Sequence, residues 1–98
     1  FLGLLAQGGA GCISVVSNVA PRHTVAVYEA FRAGELDEAR RLVLELWPLI
    51  TFLFSDSNPV PCKAAMAELG LCRPHPRLPL APFSGPSVRP VRAGTWNA

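Results

Sequence analysis

A single lysine, Lys63, and a single tyrosine, Tyr28, are all the chain has of two side chains on which covalent and acid–base chemistry often depends. Charge is equally scarce, at 16% of residues with a formal net charge of +2. So small an excess does not mark a nucleic-acid binder. Arg73, Arg77, Arg89 and Arg92 make the last quarter basic, but no aromatic platform is interleaved with them. Cysteine amounts to Cys12, Cys62 and Cys72, an odd number with no pair at metal-ligand spacing. Cys62 and Cys72 could pair only by leaving Cys12 alone, so the expectation is three reduced, buried thiols, as in a cytosolic protein. His23 and His75 lack partners at triad or metal spacing and read as surface residues. Gly8-Gly9-Ala10-Gly11 stands before a β-rich run rather than after one, which argues against a phosphate-cradling loop. The residues therefore nominate no catalytic group, no metal and no cofactor.

Long apolar runs are missing too. Residues 1–21 carry no charge, yet four glycines, Gln7, Ser14, Ser17 and Asn18 interrupt them. No stretch of about 18 apolar residues results, and the segment has neither an initiating Met nor a basic leader. Leu42 to Phe54 is apolar but short, and it contains Glu45 and Pro48. No membrane span is expected.

What is abundant is apolar surface. Half of the 98 residues are hydrophobic and the mean hydropathy is +0.30. A single domain this short buries only part of its surface and sits near the edge of independent stability. Either the chain oligomerises, or its apolar faces are made to pack against further polypeptide; the second reading is preferred.

Along the chain, Phe1, Leu4 and Leu5 have helical spacing, and Gly8-Gly9 ends that helix with left-handed backbone. A chain that begins on Phe inside an apparent helix is expected to have its true amino terminus upstream. Cys12-Ile13-Ser14-Val15-Val16 is apolar on both faces apart from Ser14, as a buried parallel strand should be. Such a strand needs neighbours on both edges, and no other convincing strand is present. Asn18 as cap, Pro21 in the first turn and Gly34 as the stop frame a helix carrying Val25, Tyr28, Glu29 and Phe31. A second helix begins near Leu36 or Asp37, with Leu36, Ala39, Leu42, Val43, Leu46, Ile50 and Leu53 on one face. Glu38, Arg41 and Glu45 pair on its solvated side, and Pro48 is expected to kink it. After a turn at Ser55–Asn58, Pro59 and Pro61 open a third helix with Val60, Ala64, Ala67 and Leu71 in register, ended by Gly70. From Arg73 onward prolines recur as far as Pro90, so residues 73–98 are expected to form a Pro-rich tail of low order.

Helix, glycine turn, buried strand and helix make the closing unit of a β/α alternation. Two further helices match a barrel with a carboxy-terminal extension. The expected fold class is α/β, the last strand and helix of a (β/α)8 TIM barrel plus appended helices, mostly helical as a fragment. Residues 1–34 form the barrel unit, 35–72 the helical extension and 73–98 the tail. A complete barrel takes about 250 residues, so this chain could hold only its end.

Gly8 to Pro21 resembles a segment of the dihydrodipicolinate synthases, class I pyruvate aldolases related to the N-acetylneuraminate lyases. Their usual form there is G-G-x-G-V-I-S-V-T-A-N-V-A-P. Ser57 to Lys63 is similar to the family's N-P-I-P-V-K, and Glu68-Leu69-Gly70-Leu71 with Arg77-Leu78-Pro79-Leu80-Ala81-Pro82 to its E-L-G-L…R-L-P-L-x-P. The step Ala33-Gly34-Glu35-Leu36…Ala39-Arg40 matches as well. The likeness covers roughly residues 1–83 in the right order, and the N-P-x-P-x-K run favours the synthases over the lyases. Cys12 and Cys62 stand at family valines, swaps a core tolerates. After Phe83 the family's last amphipathic helix is not expected.

The resemblance implies a lyase that condenses pyruvate with L-aspartate 4-semialdehyde through a lysine Schiff base, in cytoplasmic lysine and diaminopimelate biosynthesis. It implies a homo-oligomer, the homotetramer typical of the family, with pyruvate and an aldehyde as partners and no nucleic acid or membrane. Lys63 matches the helical-extension lysine and not the imine former, and Tyr28 does not match the catalytic tyrosine. This chain alone is therefore expected to be inactive. Ile13 matches the strand residue whose backbone carbonyl contacts pyruvate, its side chain belonging to the core. The alternatives are another pyruvate aldolase of the family, a helical homo-oligomerising module over residues 18–71, and the product of a truncated gene.

Overall fold

The computed structural model describes residues 1–85 and Val91. Among them are four α-helices and one short 3₁₀ turn, with no β-strand. The helices are α1 (Leu2–Ala6), α2 (Pro21–Arg32), α3 (Leu36–Leu53) and α4 (Val60–Glu68), and the 3₁₀ turn is Val16–Asn18. The expected strand at Cys12–Val16 is the main correction. A helix satisfies its backbone groups internally, whereas a strand is defined by a neighbour's. The described residues offer that segment no neighbour.

Glycine sets the helix ends as the sequence led one to expect. At the end of α2, Gly34 takes φ +78°, its N–H bonds to Phe31 O at 3.0 Å, and Glu35 N–H reaches Ala30 O at 2.9 Å. These two bonds satisfy carbonyls that the last turn would otherwise orphan, and only a residue without Cβ takes that φ cheaply. The same pair of bonds closes α4 at Gly70 and α1 at Gly8. Pro21 opens α2 as expected, but Asn18 does not cap it. The Asn18 side-chain amide turns back to Ser14 O and Val15 O, and Ala20 occupies the cap position without a side-chain bond.

The core is built chiefly where α2 lies against α3. Val27 and Ala30 of α2 meet a stripe of Ala39, Leu42, Leu46, Leu49, Phe52 and Leu53 on α3. Leu36, expected on that stripe, is 41% exposed, while Leu49 and Phe52, left off it, are buried. The helix continues through Pro48, which is exposed, so the Leu44 carbonyl lacks its usual N–H donor on the water-facing side. α4 also buries a face one step from the expected one. Val60, Pro61, Cys62 and Ala65 are inside, Ala64 and Ala67 are half-buried and Leu71 is exposed. Cys62 is thus the buried thiol, whereas Cys12 and Cys72 are exposed, against the expectation of three buried ones.

Residues 73–85 run without regular secondary structure. Phe83 nevertheless packs on the core, its ring edge-on to Phe52 at 5.3 Å. Of the expected low-order tail, residues 86–90 and 92–98 lie outside the described residues. Val91 is described, and it has helical backbone and is fully buried in the core.

The polar surface of α3 is laced as expected. Arg41 bonds Glu38 at 2.6 Å on one side and Glu45 on the other, and Arg40 bonds Asp37 at 3.1 Å. Glu45 also holds His23 of α2 at 3.0 Å, a cross-helix partner that sequence spacing does not reveal. The Arg41 hydrogen bond keeps the Glu38 carboxyl below its ordinary value of 4.5.

Two outcomes follow from this packing. Leu53→Ala empties a fully buried site on α3 and should cost about 2–5 kcal/mol, read from the chemical denaturation midpoint, whereas exposed Leu44→Ala should stay within about 0.5 kcal/mol. Because the folded state lowers the Glu38 pKa, that carboxylate adds stability above pH 4.5 and loses it as pH falls through the lowered value. Glu38→Gln should therefore lower the midpoint slightly at neutral pH, with a difference that shrinks as the pH falls through the lowered value.

Candidate functional site

Between the glycine stop of α1 and the 3₁₀ turn runs the segment that the sequence singled out. Its ends are fixed. Gly9 N–H bonds Leu4 O at 2.9 Å, and a Cβ at Gly9 would lie only 2.8 Å from that same carbonyl. At the far end, Ser14 O accepts from Ser17 Oγ at 3.0 Å and from the Asn18 amide at 3.3 Å, while Ser14 Oγ takes the Ser17 N–H at 3.1 Å. The Ser-x-x-Ser-Asn spacing encodes this turn, since short hydroxyl and amide side chains reach backbone groups three or four residues away. Sequence reasoning placed Ser14 inside the expected strand and Asn18 at a helix cap, and did not foresee the turn they form.

The middle of the segment is different. Ala10, Gly11, Cys12 and Ile13 make no backbone hydrogen bond among the described residues. The Ile13 side chain is expected in the core, but the residue is 107% exposed, because nothing described packs on it. Its carbonyl is correspondingly open to water.

Beside the segment lies an apolar cavity of about 340 Å³. Val27 of α2 and Val43, Leu46 and Ile50 of α3 form its floor, Phe1 and Leu4 one wall, and Cys12 to Val16 another. Its polar lining is limited to the hydroxyls of Ser14 and Thr24 and the Cys12 thiol. Thr24 donates its hydroxyl hydrogen to Ala20 O at 2.9 Å. A smaller recess of about 220 Å³ continues from Cys12 and Ser14 towards Tyr28. The Tyr28 hydroxyl accepts a bond from Arg32 at 3.3 Å, with the guanidinium lying over the ring.

No lysine lines either recess. Lys63 sits on α4, where its Nζ donates to His75 O at 3.1 Å. Cys72 Sγ lies 3.8 Å from Lys63 O, so two contacts fasten residues 72–75 along α4. Burial raises the Cys62 thiol pKa, with a smaller contribution from Cys72. His75 is exposed, and among the described residues no group of His, Cys, Asp or Glu could hold a metal. No described helix is long and apolar enough to cross a membrane. The geometry therefore offers an open backbone and an apolar recess, with no lysine among the lining residues.

Residues 1–93 match the model of the Dihydrodipicolinate synthetase family, ten residues beyond the point where the sequence resemblance stops. A 4-hydroxy-tetrahydrodipicolinate synthase of Geobacter sp. (strain M21) is 48% identical over 82 residues, which is 84% of this chain and 28% of that protein. Among solved structures, a dihydrodipicolinate synthase from Thermotoga maritima superposes with a TM-score of 0.86 at 42% identity, over 93% of this chain and 31% of that one. A monomeric dihydrodipicolinate synthase variant does so with a TM-score of 0.86 at 41% identity, over 93% and 30%. The chain thus spans under a third of the length of the proteins it matches.

Thiol labelling reads this arrangement directly. In native buffer iodoacetamide should modify Cys12 and Cys72 and spare Cys62 until denaturant is added, since burial keeps that thiol protonated as well as shielded. Native labelling of Cys62 at the rate of Cys72 would show that the α4 face is not packed as described.

Proposed function

Because the chain belongs to the dihydrodipicolinate synthetase family, we propose that it is the carboxy-terminal part of a Schiff-base lyase, inactive by itself. The assembled protein condenses pyruvate with L-aspartate 4-semialdehyde to 4-hydroxy-tetrahydrodipicolinate, in lysine and diaminopimelate biosynthesis in the cytoplasm. In this reading Cys12–Val16 is the last strand of a TIM barrel, and α2, α3 and α4 cover and extend it. The proposed domain limits are 1–34, 35–72 and 73–98.

The observation that carries the reading is the open backbone at Ala10–Ile13 beside an apolar recess. A lysine amine attacks the pyruvate ketone only while neutral, which requires a desolvated site or a cationic neighbour. Lys63 is distant from the recess and tied to the His75 carbonyl, so the amine comes from the remainder of the fold. The proposed task of this chain is positional. A backbone carbonyl only accepts, and the pyruvate adducts have two groups to donate, the carbinolamine hydroxyl and the iminium N–H. Ile13 O is the proposed acceptor for one of them. A main-chain acceptor depends on the strand's course and not on the side chain, so the isoleucine can vary if the backbone is held. Exposed Leu44, Trp47 and Phe54 on and beyond α3 support packing against more polypeptide, with homotetramer formation as the proposed assembly.

Borohydride trapping tests the division of labour. The chain with pyruvate should gain no reduced adduct. A chimaera carrying it in place of the matching region of the Geobacter relative should gain one and form product. An adduct on Lys63, or a folded chimaera that is inert, would overturn the reading.

A further inference from the structure

We propose that Cys62 and Cys72 are a dithiol pair that a peroxide closes to a disulfide, fixing the segment after α4 along that helix. The inference is independent of the reaction assigned above and concerns side chains which that reaction does not use. Three observations carry it. The first is a turn. Cys62 and Cys72 stand ten residues apart, which in a continued helix, at about 1.5 Å of rise per residue, would separate them by about 15 Å. A disulfide needs Cα atoms within about 7 Å. The chain instead reverses at Gly70, whose φ is +75°, with Gly70 N–H on Ala67 O and Leu71 N–H on Met66 O, both at 2.9 Å. The second is contact. Cys72 Sγ lies 3.8 Å from the carbonyl oxygen of Lys63, the residue that follows Cys62, and Lys63 Nζ donates to His75 O at 3.1 Å. Residues 72–75 therefore lie back along α4, with the Cys72 thiol against the backbone next to Cys62. The third is electrostatic. Burial does most to raise the Cys62 thiol pKa, and Cys72 raises it further. Repulsion between two thiolates falls off with distance, so the two sulfurs are near one another.

Burial divides the roles. Cys72 is exposed and meets the oxidant, whereas Cys62 is buried, shielded and protonated. The Cys72 thiolate attacks one oxygen of hydrogen peroxide, the O–O bond breaks, and hydroxide leaves to take up a proton as water. Cys72 is then a sulfenic acid, oxidised by two electrons. The Cys62 sulfur attacks the Cys72 sulfur, the S–S bond forms, the S–O bond breaks, and the hydroxyl leaves with the Cys62 proton as a second water. Two thiols and one peroxide thus give one disulfide and two waters. Cys12 has no part in this, since it lines the recess beside α2 and α3.

The test uses the full chain with Cys12→Ser, treated with one equivalent of hydrogen peroxide, alkylated and digested with trypsin. Cleavage after Lys63 separates the two cysteines in sequence. The peptide ending at Lys63 and the one beginning at Ala64 should stay joined, and a reductant should part them with the gain of two hydrogen atoms. Linking should proceed at one rate in native buffer and in urea well below the unfolding midpoint. In limited proteolysis of the folded protein, the linked chain should be cut after Arg77 at least about threefold more slowly than the reduced chain. A Cys72 sulfenic or sulfinic acid beside an unlinked Cys62, or a dimer joined through Cys72, as the main product would overturn the pairing. A linking rate that climbs with the unfolded fraction would place the reaction in the unfolded chain and overturn it as well. Linking that leaves cleavage after Arg77 unchanged would overturn the fixing of the segment.

Discussion

An extended peptide segment cannot satisfy its own hydrogen bonds, and this constraint organises the molecule. Each buried N–H and C=O needs a partner, and a strand must borrow its partners from another segment. The other described elements are helices, which lend nothing. Consequently Ala10–Ile13 makes no backbone hydrogen bond among the described residues, and Ile13 is fully exposed there. A recess of about 340 Å³ remains between that segment and the α2–α3 pair. The apolar character read from Cys12-Ile13-Ser14-Val15-Val16 is the mark of a buried strand, yet burial is a property of surroundings that the segment does not contain.

The helices escape this dependence because their stability is local in two ways. Backbone bonds close within each element, and the glycine turns at Gly8, Gly34 and Gly70 satisfy the carbonyls at the ends. What remains is to bury one stripe. α2 and α3 do so against each other along Val27, Ala30, Ala39, Leu42 and Leu46. The outer face of α3 carries the Glu38–Arg41–Glu45 ladder, and Glu45 extends it to His23 on α2. These exposed pairs contribute little energy individually. Their effect is on register, because the His23–Glu45 bond forms only when the two helices are correctly aligned.

The same physics explains which features were legible in the sequence. Pro21, Gly34 and Gly70 act within a few residues of themselves, so the helix limits could be read directly. The arginine–glutamate ladder has a fixed helical spacing and was equally plain. His23 with Glu45 was not, since 22 residues separate them and only packing brings them together. Asn18 was misplaced because one amide can cap a following helix or bond backward to Ser14 and Val15, and the turn at Ser17 decides in favour of the latter. The stripe of α4 slipped because a helix opened by Pro59 and Pro61 has its first turn buried all round, which periodicity alone does not reveal. Val91, deep in the core, lies beyond the residues where the motifs end. A proline-rich composition hides single apolar anchors of that kind.

Function divides along the same line between what is local and what is shared. In the proposed reading a substrate-facing carbonyl requires only that its backbone be held in place, and the bonds at Gly9 and Ser14 fix the two ends of its segment. An imine-forming amine needs far more. It has to be desolvated without being left as an unpaired charge, which only a deep, closed site provides. The recess here is floored by valine, leucine and isoleucine and is open on one side, and the lysine lies on another helix with its nitrogen bonded to His75 O. Under the proposed function, the part of the chemistry that backbone geometry can carry falls to this chain, and the part that needs an enclosed cavity falls to the remainder of the fold. In the proposed assembly, polypeptide that covers Val27 and Leu46 would desolvate the recess and bury the Ala10–Ile13 backbone together.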